Sequence, residues 1–408
     1  MGAVHFRQEK KPMKISEHIR QISPSMTLAV TAKAKALKAQ GVDIVGFGAG
    51  EPDFDTPDEI KAAAKRAIDE GFTKYTPSAG TPELRKAVCE KFKRDNGLDY
   101  VPEQILVSCG AKHSIYNAVQ TLVDPGDEVI IQTPYWVSYP EFVKAAGGKC
   151  VFVKTGVKQE FKMTADQVHD AITERTVLCI LNSPSNPTGA VYTADEITGI
   201  MDVLMDHGVA VISDEIYEKI IYDGLKHVCI PALQPEYKDS TILVNGVSKT
   251  YSMTGWRIGY LAAPKEHVSA MTRLQDHSTS NPTSISQKAA LAALTGDQSA
   301  AAKMVKAFDE RRRYIVDALN RIPGVVCPMP KGAFYVFPDV SGVYGKPLKG
   351  GKTAKNSMEL TDFLLDGARV AVVPGIAFGD DNCLRLSYAT SLEAIKKGIE
   401  RIGEALSG

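Results

Sequence analysis

A mostly parallel β-sheet covered by helices on both faces, followed by a smaller α+β domain, is the fold this chain predicts, and three observations predict it. From about Glu103 to Ala263, continuous apolar runs of strand length alternate with longer amphipathic stretches, the pattern of strands buried on both faces. After about Gln287 that alternation gives way to a long helical stretch. The 408 residues exceed what one simple core organises and fit two domains.

In chain order, ILVSCG (105–110) precedes the helical AKHSIYNAVQTLV, and DEVIIQ follows the turn Pro125-Gly126. VLCILNSP (177–184) precedes TADEITGIMDVLMDHG, and VAVISDE (209–215) and TILVNGVS (241–248) come after it. Apolar strands separated by helices pair in parallel, and ligands of such sheets sit at the carboxyl ends of the strands. The residues that carry chemistry are therefore expected just after each apolar run.

Beyond Gln287, AALAALTGDQSAAAKMVKAFDERRRYIVDALNRI (289–322) reads as one long helical stretch. Short strands around Ala333 to Pro338 and Val370 to Val373 and a last helix from Ser391 complete the smaller domain. The expected division is 1–60 as an N-terminal segment contributing to the small domain, 61–300 as the large domain and 301–408 as the small one. Segment 342–357, rich in Gly and Lys, reads as a mobile surface loop, because no helix-opening G-K-[ST] follows a strand there.

Composition narrows the function classes. The 48 basic and 48 acidic residues balance, so there is no electrostatic footprint for nucleic acid or an anionic membrane. No apolar run approaches the roughly 20 residues needed to span a bilayer. The polar start, MGAVHFRQEKKPMK, lacks the apolar stretch of a secretory signal. Gly2 invites acylation, but Phe6 stands where that motif wants Ser or Thr. Seven cysteines without a C-x-x-C pair point to reduced thiols in a cytosol-like compartment. Eight histidines without an H-x-x-x-H pair predict no metal site.

The chemistry concentrates in VNGVSKTYSMTGWRIGYLAA, 244–263. A lysine at the end of a buried strand can condense with an aldehyde, and an arginine just beyond can clamp a phosphate with its planar fork. Lys249 and Arg257 stand in that relation, and pyridoxal 5′-phosphate carries both groups. Asp214, ending VAVISD, suits the pyridine nitrogen, where a carboxylate keeps the ring protonated and able to accept charge. Tyr217 from the same turn and Asn186 from the neighbouring strand end can reach the ring's phenolic oxygen. Asp214 and Asn186 also suit the ordinary uses of a helix cap and an Asn-Pro turn. The strand, glycine, helix junction SCGAK supplies Gly110, Ala111 and Lys112 as an anion cradle of first-turn N–H groups.

The segment around Lys249 resembles the cofactor-lysine signature of class I aminotransferases, the aspartate aminotransferase family, and the resemblance runs from about Ser23 to Leu406. It is strongest toward the branch carrying MTGWRIGY and LRLSYATS, which includes enzymes that also accept prephenate. The resemblance implies fold type I of the pyridoxal-phosphate enzymes, with a seven-stranded large-domain sheet, and a homodimer with shared active sites. It implies that Trp136 stacks on the cofactor ring and that Tyr75 reaches the phosphate of the neighbouring subunit's cofactor. Arg385 would take the α-carboxylate bidentately from the small domain, assisted by the backbone of Gly50. Where many members carry a phosphate-binding serine, this chain has Gly246, leaving that contact to Ser248, backbone or water.

Aspartate-type substrates carry a second carboxylate. One branch of the family neutralises it with a partner-subunit arginine, but there is no arginine between Leu274 and Glu310. The other branch uses Lys112 with Ser25 and Thr27, all present here; both hydroxyls would also suit a helix N-terminus. The implied reaction is ping-pong transfer of an amino group between L-aspartate and 2-oxoglutarate in the cytoplasm, with prephenate as a further acceptor. A lyase of the same fold, of the aminocyclopropane-carboxylate synthase or C–S lyase kind, would use the same Lys249 and Asp214. A DNA-binding regulator built on this fold needs a helix-turn-helix module before residue 20, for which there is no room.

Overall fold

The computed structural model describes residues 13–407, so Gly2 and Phe6 at the start of the chain lie outside the described residues. A short strand, β1 (Val45–Gly46), precedes seven longer ones: β2 (Ile105–Ser108), β3 (Glu128–Thr133), β4 (Lys149–Lys154), β5 (Thr176–Asn182), β6 (Ala210–Asp214), β7 (Thr241–Gly246) and β8 (Gly259–Ala262). Four short strands follow: β9 (Tyr335–Val336), β10 (Val370–Ala371), β11 (Val373–Pro374) and β12 (Leu384–Ser387).

Strands β2 to β8 form one sheet in the order β2-β8-β7-β6-β5-β3-β4. All its pairs are parallel except those of β8, which runs antiparallel to both β2 and β7. The apolar runs are continuous because helices cover both faces. Leu106, Ile131, Ile212 and Val244 pack with Ile115 and Met271 on one side. Ile105, Val107, Leu243 and Tyr260 pack with Leu84 and Phe92 on the other.

This topology sets one edge apart. Ser108, Asn182, Asp214 and Gly246 end parallel strands there, while β8 begins there, its Gly259 opposite both Ser108 and Gly246. Arg257, two residues before β8, is thereby delivered to the same edge as Lys249, three residues after β7. Strand β4 went unforeseen because it lies at the sheet's outer edge with only Val153 fully buried, and so lacks an apolar run.

A second core gathers Val45 and Phe47 with Phe308, Ile315, Phe334, Leu360, Leu386 and Ile399. There β1 pairs with β10 in parallel, and β11, β12 and β9 form an antiparallel sheet. Two expectations need correction. The long helical stretch is two helices, Ser284–Thr295 and Ser299–Leu319, because Gly296 turns to extended backbone where a Cβ would meet the Ala292 carbonyl oxygen at 2.7 Å. The first helix packs on the sheet and the second in the other core. Segment 342–357 is not a free loop: Val343, Leu348 and Ala354 are buried in that core, and Lys349 N–H donates to the Ala405 carbonyl at 3.0 Å.

Arg312 fastens the helix Ser299–Leu319 to the segment after β6. Its guanidinium is fully buried, donates to both oxygens of Asp223 at 2.7 and 3.0 Å and to the Pro330 carbonyl at 2.7 Å, and lies over the Tyr222 ring. These bonds hold the Asp223 carboxyl down at about 2, against an ordinary 3.8. Its contribution to stability is therefore present above the unfolded value and lost as pH falls through about 2. Arg312→Met should lower unfolding free energy by about 3 kcal/mol in urea melts, the low end for breaking a buried pair because Arg313 still faces Asp223. The same variant should begin acid unfolding at a higher pH than the parent.

Candidate active site

At the carboxyl edge of the sheet lies a cavity of about 460 Å³. Its walls include Gly50, Ala111, Lys112, Trp136, Asn186, Asp214, Tyr217, Ser248, Lys249, Arg257 and Arg385, together with Ser25 and Thr27. Of the candidate residues, these thirteen meet around one space, and Gly110 stands behind them. Tyr75 does not line it: its side chain is 92% exposed, directed off this chain.

Lys249 follows β7, and its Nζ donates to the Gly50 carbonyl oxygen at 2.5 Å. Burial in the cavity wall pushes its amine down to about 8, with Arg257 and Arg385 acting in the same direction and Glu51 opposing. An amine so placed is available as a neutral nucleophile near physiological pH. Asp214 is buried at the end of β6, and burial raises its carboxyl to about 6. Its Oδ2 accepts from the Tyr139 hydroxyl at 2.7 Å and its Oδ1 from Ile216 N–H at 3.3 Å. Those bonds and Lys249 pull it back toward the ionised form. Burial holds the Tyr217 phenol well above its ordinary value, so it stays a donor; its hydroxyl meets that of Tyr335 at 2.9 Å.

The anion cradle forms where β2 turns into the helix Ala111–Leu122. Gly110 has φ +87°, and a Cβ there would fall 2.4 Å from Arg257 Nη2. Arg257 is held over this turn by bonds from Nη1 to the Thr254 carbonyl at 2.8 Å and from Nη2 to that of Cys109 at 3.2 Å. Gly259 lies beneath, where a Cβ would meet Ala111 N at 2.1 Å. At Gly246 a Cβ would press on Gly259 and Ile216 at 3.1 Å, so a serine would crowd this crossing of β7 and β8, and Ser248 is the hydroxyl nearby in the wall.

Arg385, on β12, is buried, with Nη1 donating to Asn186 Oδ1 at 3.1 Å and Nη2 to the Gly48 carbonyl at 2.8 Å. Its Nε has no partner. Lys112 opens into the cavity over the Trp136 ring, 5.0 Å from its centroid, and burial with Arg257 nearby lowers its amine below the usual lysine range. Ser25 does cap the helix Met26–Ala39, accepting from Leu28 N–H, and its Oγ also meets Thr27 Oγ1 at 2.9 Å on the cavity wall. Capping and lining are here the same residue.

Sequence reasoning missed several wall or support residues, Lys35 among them. Asn182 ends β5, with Nδ2 on the Asp214 carbonyl and Oδ1 on Asn186 N–H, both at 2.8 Å; its place at a strand end was the available signal. Glu51, Tyr139 and Tyr335 carried no such signal. Near the edge, Glu215, Glu218 and His227 also converge, their ligand atoms within 4.8 Å of one another. That space is a hydrogen-bonded network: His227 Nε2 bonds Glu215 at 2.5 Å, Lys91 pairs with Glu218, and Ser213 and Ile230 N–H serve Glu215.

The donor set fits pyridoxal 5′-phosphate. A cradle that a single Cβ would fill suits a phosphate, Asp214 suits a pyridinium, and Lys249 supplies the amine for an aldehyde. Comparison with known proteins agrees. Residues 42–402 match the family described as aminotransferase class I and II. The chain is 53% identical over 390 residues to an aspartate aminotransferase of Geobacillus stearothermophilus, covering 96% of this chain and 98% of that protein. It is 50% identical to an aspartate/prephenate aminotransferase of Cereibacter sphaeroides, covering 97% and 99%. Among solved structures, the aspartate aminotransferase of Rhizobium meliloti superposes with a TM-score of 0.93 at 46% identity, covering 97% and 99% of the chains. That of Thermus thermophilus with maleate does so with 0.89 at 43%, covering 96% and 99%.

Gly110→Ala tests the cradle. The methyl would strain a positive φ and displace Arg257, so cofactor affinity should fall by about tenfold or more. Equilibrium dialysis against the cofactor measures this, with an unchanged far-ultraviolet spectrum as the control for folding.

Proposed function

The chain belongs to the aminotransferase class I and II family, and from that premise we propose that it moves an amino group between L-aspartate and 2-oxoglutarate by a ping-pong reaction. One observation carries the dicarboxylate reading. Lys35, Lys112, Lys249, Arg257 and Arg385 line the cavity against only Glu51 and Asp214, and none of the five cations has an ion-pair partner among the described residues. A cofactor phosphate and a substrate with two carboxylates supply the missing negative charge. The Thermus thermophilus relative crystallised with maleate, itself a dicarboxylate, accords with this.

Bound pyridoxal 5′-phosphate supplies an electron sink for the charge left when the substrate's α-proton departs. In this reading Lys249 would be the attachment point, and its Nζ, when free, would be the group that accepts and carries the substrate's α-proton. Asp214 keeps the proton on the ring nitrogen. Tyr217 and Asn186 orient the ring oxygen, and Trp136 covers the ring face. Gly110, Ala111, Ser248 and Arg257 hold the phosphate. Arg385 takes the α-carboxylate, with Gly50 beside it, and Lys112 with Ser25 and Thr27 takes the distal one.

The exposure of Tyr75 supports a homodimer in which it completes the second subunit's phosphate site. The packing of Val45 and Phe47 among C-terminal elements supports a small domain of 1–60 and 301–408 hinged on 61–300. Free cysteines throughout accord with a cytosolic setting. No helix among the described residues is long and apolar enough to cross a membrane. The names of the relatives favour transfer over the lyase reading, and prephenate belongs in the acceptor panel because relatives at 50% and 48% identity are named for it.

Lys249→Ala should abolish transamination and the borohydride-reducible link to the cofactor, read by mass spectrometry; a link at another lysine would sink the assignment. In the parent, the rate of cofactor attachment to apoprotein should rise with pH through about 8, since only the neutral amine condenses.

Lys112→Ala should weaken kcat/KM for aspartate by about 2 kcal/mol, the low end for a charge pair because Lys112 opens to the cavity. Alanine as amino donor should change little. An equal loss for both would return Lys112 to the phosphate cradle.

A further inference from the structure

We infer that Tyr139 is the positioning residue of this site, holding Asp214 and Trp136 in one register, an inference that rests on the reading of Asp214 and Trp136 given above. Tyr139 opens the helix Tyr139–Ala146 and is 3% exposed. Three of its groups are engaged. Its N–H donates to the Trp136 carbonyl at 3.0 Å. Its ring packs edge-on against the Trp136 indole, with centroids 5.3 Å apart and planes at 84°. Its hydroxyl donates to Asp214 Oδ2 at 2.7 Å.

The direction of that last bond is fixed by chemistry. Burial, and then Asp214 itself, keep the phenol well above its ordinary range, so Tyr139 donates and the carboxylate accepts. A buried carboxylate needs donors to remain ionised. Among the described residues Asp214 has only two on its oxygens, Tyr139 and the longer bond from Ile216 N–H, which leaves lone pairs for one ring N–H. The other groups that act on it are Glu215 beside it, Tyr217 on its own turn and Lys249 across the cavity; Asn182 engages only its backbone carbonyl. Glu215 works against ionisation and Lys249 for it. Tyr139 is thus the one neutral side chain that both selects the ionised form and aims it, while its ring braces the indole that covers the cofactor. One side chain sets the ring's face and its nitrogen together.

The test is a double-mutant cycle on the full-length protein with Tyr139→Phe, Asp214→Asn and the pair. Phenylalanine keeps the ring against Trp136 and removes only the hydroxyl. Tyr139→Phe should weaken pyridoxal 5′-phosphate binding about tenfold in equilibrium dialysis, and should move the acid limb of the kcat/KM profile up by about one pH unit. In the Asp214→Asn background, the same change should be silent in both readouts. Melting of the apoproteins separates folding from positioning: an apoprotein midpoint within error of the parent's is expected. Equal losses in both backgrounds, an unshifted acid limb, or a fall in apoprotein stability that accounts for the lost affinity would each overturn the inference. If Asp214→Asn alone binds the cofactor as the parent does, the role of Asp214 fails and Tyr139 falls with it. If Asp214→Asn is impaired and Tyr139→Phe is not, only the role of Tyr139 fails.

Discussion

The antiparallel entry of β8 into an otherwise parallel neighbourhood is the constraint on which the rest of the site depends. A parallel strand beside β7 would have carried its approaching loop to the far edge of the sheet. Because β8 instead begins where β7 ends, the chain from Lys249 to Arg257 stays at that edge, and both of its end residues line the cavity. The amine of Lys249 and the guanidinium of Arg257, the proposed phosphate clamp, share one edge for that reason. The register of Gly246 opposite Gly259 makes the arrangement possible, since a Cβ at Gly259 would meet Ala111 N at 2.1 Å and one at Gly246 would press on Gly259 at 3.1 Å.

Close backbone approach and unpaired charge are the two devices that follow. Gly110, Gly246 and Gly259 sit where a Cβ would meet the neighbouring guanidinium, strand or helix start, so the first turn of Ala111–Leu122 can face an anion directly. Around this turn, Arg257 and Lys112 face the cavity without a protein carboxylate. Such groups destabilise the empty protein, because Arg257 lowers the affinity of Lys112 and of Lys249 for their protons, and that repulsion is relieved when an anion arrives. Binding energy for phosphate and carboxylates is stored in the fold as unpaired charge. Two acids are retained where they can do something other than pair with cations: Asp214 faces inward on donors, and Glu51 hydrogen-bonds Thr254 at the mouth.

The mostly parallel sheet of the large domain and the cluster of chemical residues at its strand ends were legible because both are written in local signals. An apolar run marks a strand buried on two faces, and a polar residue at or just beyond its end marks the edge, as at Asp214, Asn186 and Lys249. What was not legible lacked such a signal. Strand β4 alternates weakly because it faces solvent, and the break at Gly296 lies in a stretch whose composition is helical on both sides. Leu348 and Ala354 are single apolar residues in a polar segment, and only the second core explains why they pin it. Tyr139 and Tyr335 are side chains whose importance comes from what another element brings against them, which no periodicity records.

Specificity follows from the same separation of roles. Arg385 stands on β12 in the second core and reaches Asn186 and Gly48, so it touches both the sheet edge and the N-terminal segment that packs with the C-terminal elements. Lys112 stands on the first turn of a sheet helix, and Ser25 and Thr27 stand at the start of the helix Met26–Ala39. In the proposed reading, a substrate bridging Arg385 to Lys112 would tie together β12, the helix Ala111–Leu122 and the start of the helix Met26–Ala39, whereas one with a single carboxylate would leave Lys112 unengaged. On that reading the extra carboxylate would gain more than one ion pair, because each contact it made would also fix the element that supplies the next.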